Sequence, residues 1–459
     1  MGSCVFKREI RHKQVPLELD QISRYPRVGK LIIRSKNPQG KIMGHASIHF
    51  NVTEPIKLTS KQVEISNAKH WVSSCVLPGL DPRGDCNKGC QDNCIYIEND
   101  KSILLALFDG HGSDGAKVSQ FCCKFIESYY LEKFHSAKGN ITEFLVKLSE
   151  DCDTELRHKG YDILYSGSTG VFIIIFEGFL YCGSVGDSRA ILGSTNLPEV
   201  LPAQTTANKP DRKLLEEVKQ RRESKSNPLI QAVQLTKDQR PEDPEEYSRI
   251  MASGGRVQRL IGSNGNRIGP YRVWEANTNS PGLAMSRSLG DVIGKQIGVI
   301  ATPLCTEYEL RSHDCFIVLA SDGIWDVMDN EDVVNFVECF RGKCRQGGLR
   351  TAPKNAEIVP SVACVAQLLC EEARVRWYTV VEDEDVLIDD ISCVVLEFKR
   401  SEGGGISFIP RKNTVVEEVQ DKGEGEVEED DLGMRKAPTI NDILTRDPRR
   451  GSFVVNKIM

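Results

Sequence analysis

Four aspartates carry the chemistry most visible in this chain. Asp109 ends the apolar run Ile103–Phe108 within Phe108-Asp109-Gly110-His111-Gly112, and Asp322 ends Phe316–Ala320 within Ala320-Ser321-Asp322-Gly323. Asp291 follows Gly290 at the close of the run Leu283–Leu289, and Asp389 stands with Asp390 just before Ser392–Phe398. A carboxylate at a strand end points into a crevice, and a neighbouring glycine lets the backbone approach a ligand. Asp-Gly is also a common turn dipeptide, so one such aspartate alone reads as a turn. Four together read differently. Like-charged carboxylates sharing a crevice repel unless a cation neutralises them, and hard cations such as Mg²⁺ and Mn²⁺ take oxygen ligands of this kind. A divalent-metal site is expected.

The elements that must position these residues are legible in outline. Ile103–Phe108, Val171–Phe176, Leu180–Val185, Phe316–Ala320 and Ser392–Phe398 are short runs rich in aliphatic, β-branched and aromatic residues and bounded by glycine or charge, which predicts buried strands. Gly115–Phe134, Thr142–His158, Asp332–Phe340 and Pro360–Trp377 repeat apolar residues at three and four, which predicts helices laid on sheets. Strands bunch in pairs between 171 and 192 instead of alternating with helices, which favours an α+β sandwich over a doubly wound parallel sheet.

Composition narrows the class of function. With 459 residues the chain is long enough for one large core or two ordinary ones, and its net charge of −6 supplies no field that would favour nucleic acid. The longest apolar runs fall far short of a membrane span. The 16 cysteines are scattered and no secretory h-region opens the chain, so reduced cytosolic thiols are expected. Cys86, Cys90 and Cys94 lack the paired spacing of a zinc site. The start Met-Gly-Ser-Cys, with Lys7, Arg8, Arg11 and Lys13 behind it, offers Gly2 and Cys4 as a two-signal acylation site, although Phe6 stands where that motif wants Ser or Thr. From Ser401 the composition turns polar, with nine acids against one lysine between Glu417 and Asp431, which predicts a disordered tail. Near its end Arg449-Arg450-Gly451-Ser452 has the arginine pair that basophilic kinases read, making Ser452 a candidate phosphorylation site.

The order of nine short motifs brings a family into view. Gln91-Asp92, Phe108-Asp109-Gly110-His111-Gly112, Ser166-Gly167-Ser168-Thr169, Gly186-Asp187-Ser188-Arg189, Leu235-Thr236-Lys237-Asp238, Gly254-Gly255-Arg256-Val257, Met285-Ser286-Arg287-Ser288-Leu289-Gly290-Asp291, Ser321-Asp322-Gly323-Ile324-Trp325-Asp326 and Asp389-Asp390-Ile391-Ser392 together resemble the protein phosphatase 2C family of metal-dependent serine/threonine phosphatases. The resemblance implies two antiparallel β-sheets packed as a central sandwich flanked by helices on both sides. It implies that Asp109 bridges two cations, Mg²⁺ or Mn²⁺, that Gly110 offers its carbonyl, and that Asp92, Asp291, Asp322 and Asp389 complete the two sites. Asp238 matches a position used for a weaker third metal. Two such metals bring a bridging water towards neutral pKa for in-line attack on a phosphate ester, without a phosphoenzyme. His111 is suited to protonate the departing seryl or threonyl oxygen.

This sequence also departs from the family pattern. Where many members carry an arginine for the substrate phosphate, Asn87 stands here, which leaves Lys88 and Arg83 as candidates. The usual Asp-Asn is Asp389-Asp390, whose second charge would alter metal affinity or face water. The polar stretch from Val257 to Leu283 corresponds to a flap that shapes substrate choice. Residues 1–60 then read as an N-terminal extension, 61–400 as the catalytic domain with an insertion near 197–234, and 401–459 as the tail. Phosphoproteins are the expected partners of a monomeric, cytoplasmic enzyme, with membrane-associated or nuclear fractions allowed. A catalytically silent scaffold would lack a metal carboxylate, and none is lacking. A kinase would need a GxGxxG loop and an HRD-type loop, and a cysteine phosphatase a cysteine leading a phosphate-cradling loop; neither pattern occurs.

Overall fold

The structure, a computed structural model, describes residues 28–36, 42–51, 57–65, 68–80, 89–99, 102–137, 139–195, 230–262, 265–345, 364–380 and 388–398. Gly2, Cys4, Arg83, Lys88 and Ser452 lie outside these residues, as do the acidic tail and nearly all of the insertion. In chain order the strands are β1 (Val28–Lys36), β2 (Ile42–Asn51), β3 (Lys57–Ile65), β4 (Ala68–Leu77), β5 (Asp92–Asn99), β6 (Ser102–His111), β7 (Gly167–Ser168), β8 (Gly170–Phe176) and β9 (Phe179–Val185). There follow β10 (Arg189–Ser194), β11 (Gln231–Gln234), β12 (Gly255–Ile261), β13 (Arg267–Glu275), β14 (Pro281–Leu283), β15 (Leu289–Gly290), β16 (Leu304–Glu309), β17 (Asp314–Ala320) and β18 (Ile391–Glu397). The helices are α1 (Gly115–Lys133), α2 (Ile141–Leu156), α3 (Pro244–Ala252), α4 (Val292–Gln296), α5 (Asp322–Trp325), α6 (Asn330–Arg345) and α7 (Val365–Val380).

Two antiparallel sheets form the body. One orders β11-β10-β17-β18-β4-β3, and the other orders β15-β7-β6-β8-β9-β16 with β5 added against β6. Side chains alternate across a strand, so a strand covered on both faces reads as an unbroken apolar run. In β6, Ile103, Leu105 and Leu107 face the interior between the sheets, where they join Ile317 and Leu319 of β17 and Val394 and Leu396 of β18. The intervening Leu104, Ala106 and Phe108 pack instead with Val118 and Ile126 of α1 and Leu145 and Leu148 of α2. On the other side Phe316, Val318 and Val395 meet Val334 and Val337 of α6 and Leu369 and Ala373 of α7. Truncating one of the fully buried leucines to alanine would cost roughly 2–5 kcal/mol. The fold is the α-β-β-α sandwich that the family resemblance implies, within the α+β class that the strand spacing favours.

The expected strands and helices are all present, with shifted ends. The six-stranded sheet already includes Lys57, and α3 has no counterpart in the periodicity because it buries only Glu246 and Ile250. β12, β13 and β14 form a separate three-stranded ribbon over the stretch expected to be a flap. Among the described residues no cysteine forms a disulfide, Cys90 and Cys94 included, and no helix is long and apolar enough to cross a membrane.

Candidate active site

The β5–β6 hairpin brings the first two acids together. In its register Asp92 lies opposite Asp109, at the end of the ladder where β6 leaves the core. The backbone of Asp109 is pinned to β7 and its exit: its N–H donates to Thr169 Oγ1 (3.1 Å), and its carbonyl accepts from Thr169 N (2.9 Å) and Ser168 Oγ (3.1 Å). Gly110 N donates to Gln91 O (3.1 Å). A Cβ on Gly110 would lie 2.3 Å from Gly115 O, so this turn closes only around glycine.

The other sheet delivers the next two. Asp322 opens α5 directly after β17, and Asp389 precedes β18, the neighbour of β17. Gly323 allows the close approach, since a Cβ there would sit 2.1 Å from Asp390 O. The Trp325 and Trp377 indoles hold this corner by donating to Ala320 O and Gly323 O, each at 2.7 Å. Asp390 is buried and does not face water. Its carboxylate accepts from the backbone N–H of Gly79 and of Gln91, which fastens the strand carrying Asp92 to the strand following Asp389.

The electrostatics show that these acids share one place. Burial pushes the Asp109 carboxyl well above its ordinary value, and the fields of Asp92, Asp322, Asp389 and Asp187 push it further. Burial likewise raises Asp92, with Asp390 and Asp389 adding to it, and the hydroxyls of Ser392 and Ser321 offset this only in part. Neither carboxylate oxygen of Asp92 meets a donor at hydrogen-bonding geometry. Buried carboxylates without donors are costly, and only proton uptake or a cation relieves them. Among the described residues no three His, Cys, Asp or Glu side chains close on one point as a finished cage. An all-oxygen set of aspartates suits a hard divalent cation. Asp187 was not singled out as a site residue in the sequence. Its signal was there, because Leu180–Val185 runs into Gly186-Asp187 by the same strand-then-turn pattern as Asp109.

Two other candidates are occupied elsewhere. Asp291 is fully buried and takes the left-handed backbone conformation (φ 50°), which aspartate tolerates better than most residues. Both its carboxylate oxygens lie 2.8–2.9 Å from His111 Nε2. Burial alone would raise the Asp291 carboxyl and lower the His111 imidazole. Their mutual attraction outweighs it, so Asp291 is lowered and His111 raised. Asp238 grips Arg189 in a two-point pair at 2.8 and 2.7 Å and also meets Arg240 at 3.2 Å. Despite burial these cations lower its carboxyl. The structure thus gathers Asp92, Asp109, Asp322 and Asp389 in one group, His111 with Asp291 in a second, and Asp238 with Arg189 in a third.

Comparison with known proteins agrees with the geometry. The family model described as Protein phosphatase 2C matches residues 79–373. The chain is 31% identical over 311 residues to "Probable protein phosphatase 2C 72" of Arabidopsis thaliana, an alignment covering 64% of this chain and 77% of that one. It is 38% identical over 326 residues to "Probable protein phosphatase 2C 1" of the same plant, covering 63% and 61%. Among solved structures, a serine-threonine phosphatase 2C from Toxoplasma gondii superposes with a TM-score of 0.51 at 18% identity, covering 75% of this chain and 99% of that one, which speaks for the fold.

Proposed function

Because this chain belongs to the protein phosphatase 2C family, we propose that it hydrolyses phosphoserine and phosphothreonine in proteins with two divalent cations, Mg²⁺ or Mn²⁺, at the Asp92–Asp109 corner. Asp92, Asp109, Asp322, Asp389 and the Gly110 carbonyl would hold them. When bound, such cations supply Lewis acidity that makes water a nucleophile near neutral pH and offsets phosphate charge.

The remaining roles fall to the chain's own residues. Asp291 orients His111 by holding Nε2 and favours the imidazolium. The protonated ring then gives its Nδ1 proton, on a buried nitrogen that meets no partner among the described residues, to the departing seryl or threonyl oxygen. Asp291 thereby acts on the reaction through His111. Asp238 fastens Arg189, and a third, weaker cation there would compete with Arg189 and Arg240. Lys88 and Arg83, outside the described residues, remain the proposed phosphate contacts.

The observation that supports this reading most is the unpartnered Asp92 carboxylate facing Asp109. Hydrolysis of a phosphothreonine peptide by the full chain should require added Mn²⁺ or Mg²⁺ and be abolished in Asp109→Ala and Asp322→Ala. Turnover that survives chelation, or survives both substitutions, overturns it.

A further inference from the structure

The ribbon β12–β13–β14 is locally basic. Between Gly255 and Leu283 stand four arginines, Arg256, Arg259, Arg267 and Arg272, against one acid, Glu275, in a protein whose net charge is −6. The arginines divide into two pairs. Arg256 donates to Gln258 Oε1 (2.6 Å) and Thr278 O (2.8 Å), and the buried Arg272 donates to Gly282 O (2.7 Å), so these two tie the ribbon to itself. Arg259 and Arg267 meet no carboxylate among the described residues, and the Nε of Arg259, like those of Arg256 and Arg272, is sheltered from water without an acceptor.

The ribbon stands beside the site. Val273 and Leu283 pack with Ile297 and Val299, the segment just beyond α4, whose N-cap is the Asp291 that holds His111. In the ladder Val257 pairs with Val273 and Arg259 with Tyr271, so by strand alternation Arg259 lies on the side rooted in that cluster, one step further out. Its guanidinium sits 5.2 Å from the Tyr271 ring centroid, a stacked and partly desolvated setting. Arg267 is exposed further along, opposite Ile261. A guanidinium held over an aromatic ring with no carboxylate is a recognition group waiting for an anion, since Arg binds planar anions in a fixed fork.

We propose that Arg259 and Arg267 form a docking strip for acidic residues flanking the target phosphoserine or phosphothreonine, so that this enzyme favours phosphoproteins with acidic surroundings. The proposal rests on the phosphatase reading above and adds a substrate class to it. An acidic partner fits because the strip offers charge and a flat cation without a deep apolar pocket, and charge pairs at such exposed positions steer and select more than they bind.

The test uses the full chain with Mn²⁺ and two phosphothreonine peptides, one flanked by Asp and Glu and the other by Asn and Gln. p-Nitrophenyl phosphate, too small to reach the ribbon, reads the reacting site alone. The wild type should prefer the acidic peptide in kcat/KM by roughly threefold to tenfold, less at high salt. The R259A/R267A variant should lose the preference with the small ester hydrolysed as before. No preference in the wild type, or an undiminished one in the variant, overturns the proposal. So does a variant that loses only binding to phosphatidylserine vesicles, which would mark the strip as a membrane contact. If the small ester is not hydrolysed at all, the function has failed, and fluorescence anisotropy still decides this proposal: the acidic peptide must bind the wild type more tightly than R259A/R267A.

Discussion

Asp92 and Asp109 face each other as cross-strand partners, the first buried and the second half-buried, with no cationic side chain between them among the described residues. Like charges placed directly opposite destabilise a ladder, and here burial multiplies the effect. The arrangement is stable chiefly when something positive joins it. In chelator, Asp92→Asn should therefore melt higher than the wild type, by roughly 1–2 °C if about 1 kcal/mol of repulsion is removed. With Mn²⁺ the order should reverse, because the wild type gains binding free energy that the variant loses. Thermal melts of both proteins with and without metal check this, and a wild type indifferent to Mn²⁺ would contradict it.

On the proposed mechanism the His111–Asp291 pair would serve acid catalysis apart from metal holding. Asp291→Asn keeps the shape but cannot stabilise an imidazolium, so kcat should fall on the order of tenfold to a hundredfold. The Mn²⁺ concentration giving half-maximal rate should stay unchanged, because Asp291 spends both oxygens on His111. Asp322→Ala should shift that concentration strongly upward. A metal titration of the two variants decides between these roles, and a shifted Mn²⁺ requirement in Asp291→Asn would return Asp291 to the metal ligands.

Much of the site was legible because its grammar is local. An apolar run followed by Asp and Gly announces a strand end and a carboxylate, and that pattern marks Asp109 and Asp322 as candidates from the sequence alone. Partnership is not local, which is why the sequence alone could not assign Asp291 to His111, 180 residues earlier, or Asp238 to Arg189. Asp390 makes the same point. Adjacent to Asp389, it read as a spare charge, whereas its oxygens accept backbone N–H groups from Gly79 and Gln91, some 300 residues away in the chain. In the fold, buried strands declared themselves by unbroken apolar runs. Helix α3 buries too few residues to leave a period.

Gly167 tests how tightly the His111 partner is held. A Cβ there would lie 2.2 Å from Asp291 Oδ2 and 2.6 Å from Leu289 O. Gly167→Ala must therefore push the Asp291 carboxylate away from His111 or spread the short β7–β15 ladder. The variant should lose about 1–3 kcal/mol of stability by the usual cost of overpacking. Turnover should fall further than in Gly89→Ala, a control at a glycine with nothing within 4 Å of its added Cβ. Urea denaturation and peptide hydrolysis measure the two effects, and equal behaviour of the two variants would refute the contact.

Glu246 ties α3 to the segment that leads into Asp291. Its carboxylate accepts from Arg249 (3.0 and 2.6 Å), from Ser286 Oγ (2.5 Å) and from Arg287, whose Nη2 lies at 2.6 Å. Burial would raise this carboxyl, but the two guanidinium groups and the hydroxyl bring it down to about 2. A carboxyl lowered in the folded state binds fewer protons there than when unfolded. Its stabilisation is thus fully present above the unfolded value near 4.5 and is lost as pH falls towards about 2. The gap corresponds to a contribution on the order of 3 kcal/mol at neutral pH. Glu246→Gln removes this titration and leaves Arg249 and Arg287 short of a counter-charge, so it should be less stable than the wild type at pH 7. The difference should narrow steadily between pH 4.5 and 3, because other carboxyls titrate alike in both proteins. Urea denaturation of the pair across that range measures the slope, and a stability difference independent of pH would show that the Glu246 charge does not hold this joint together.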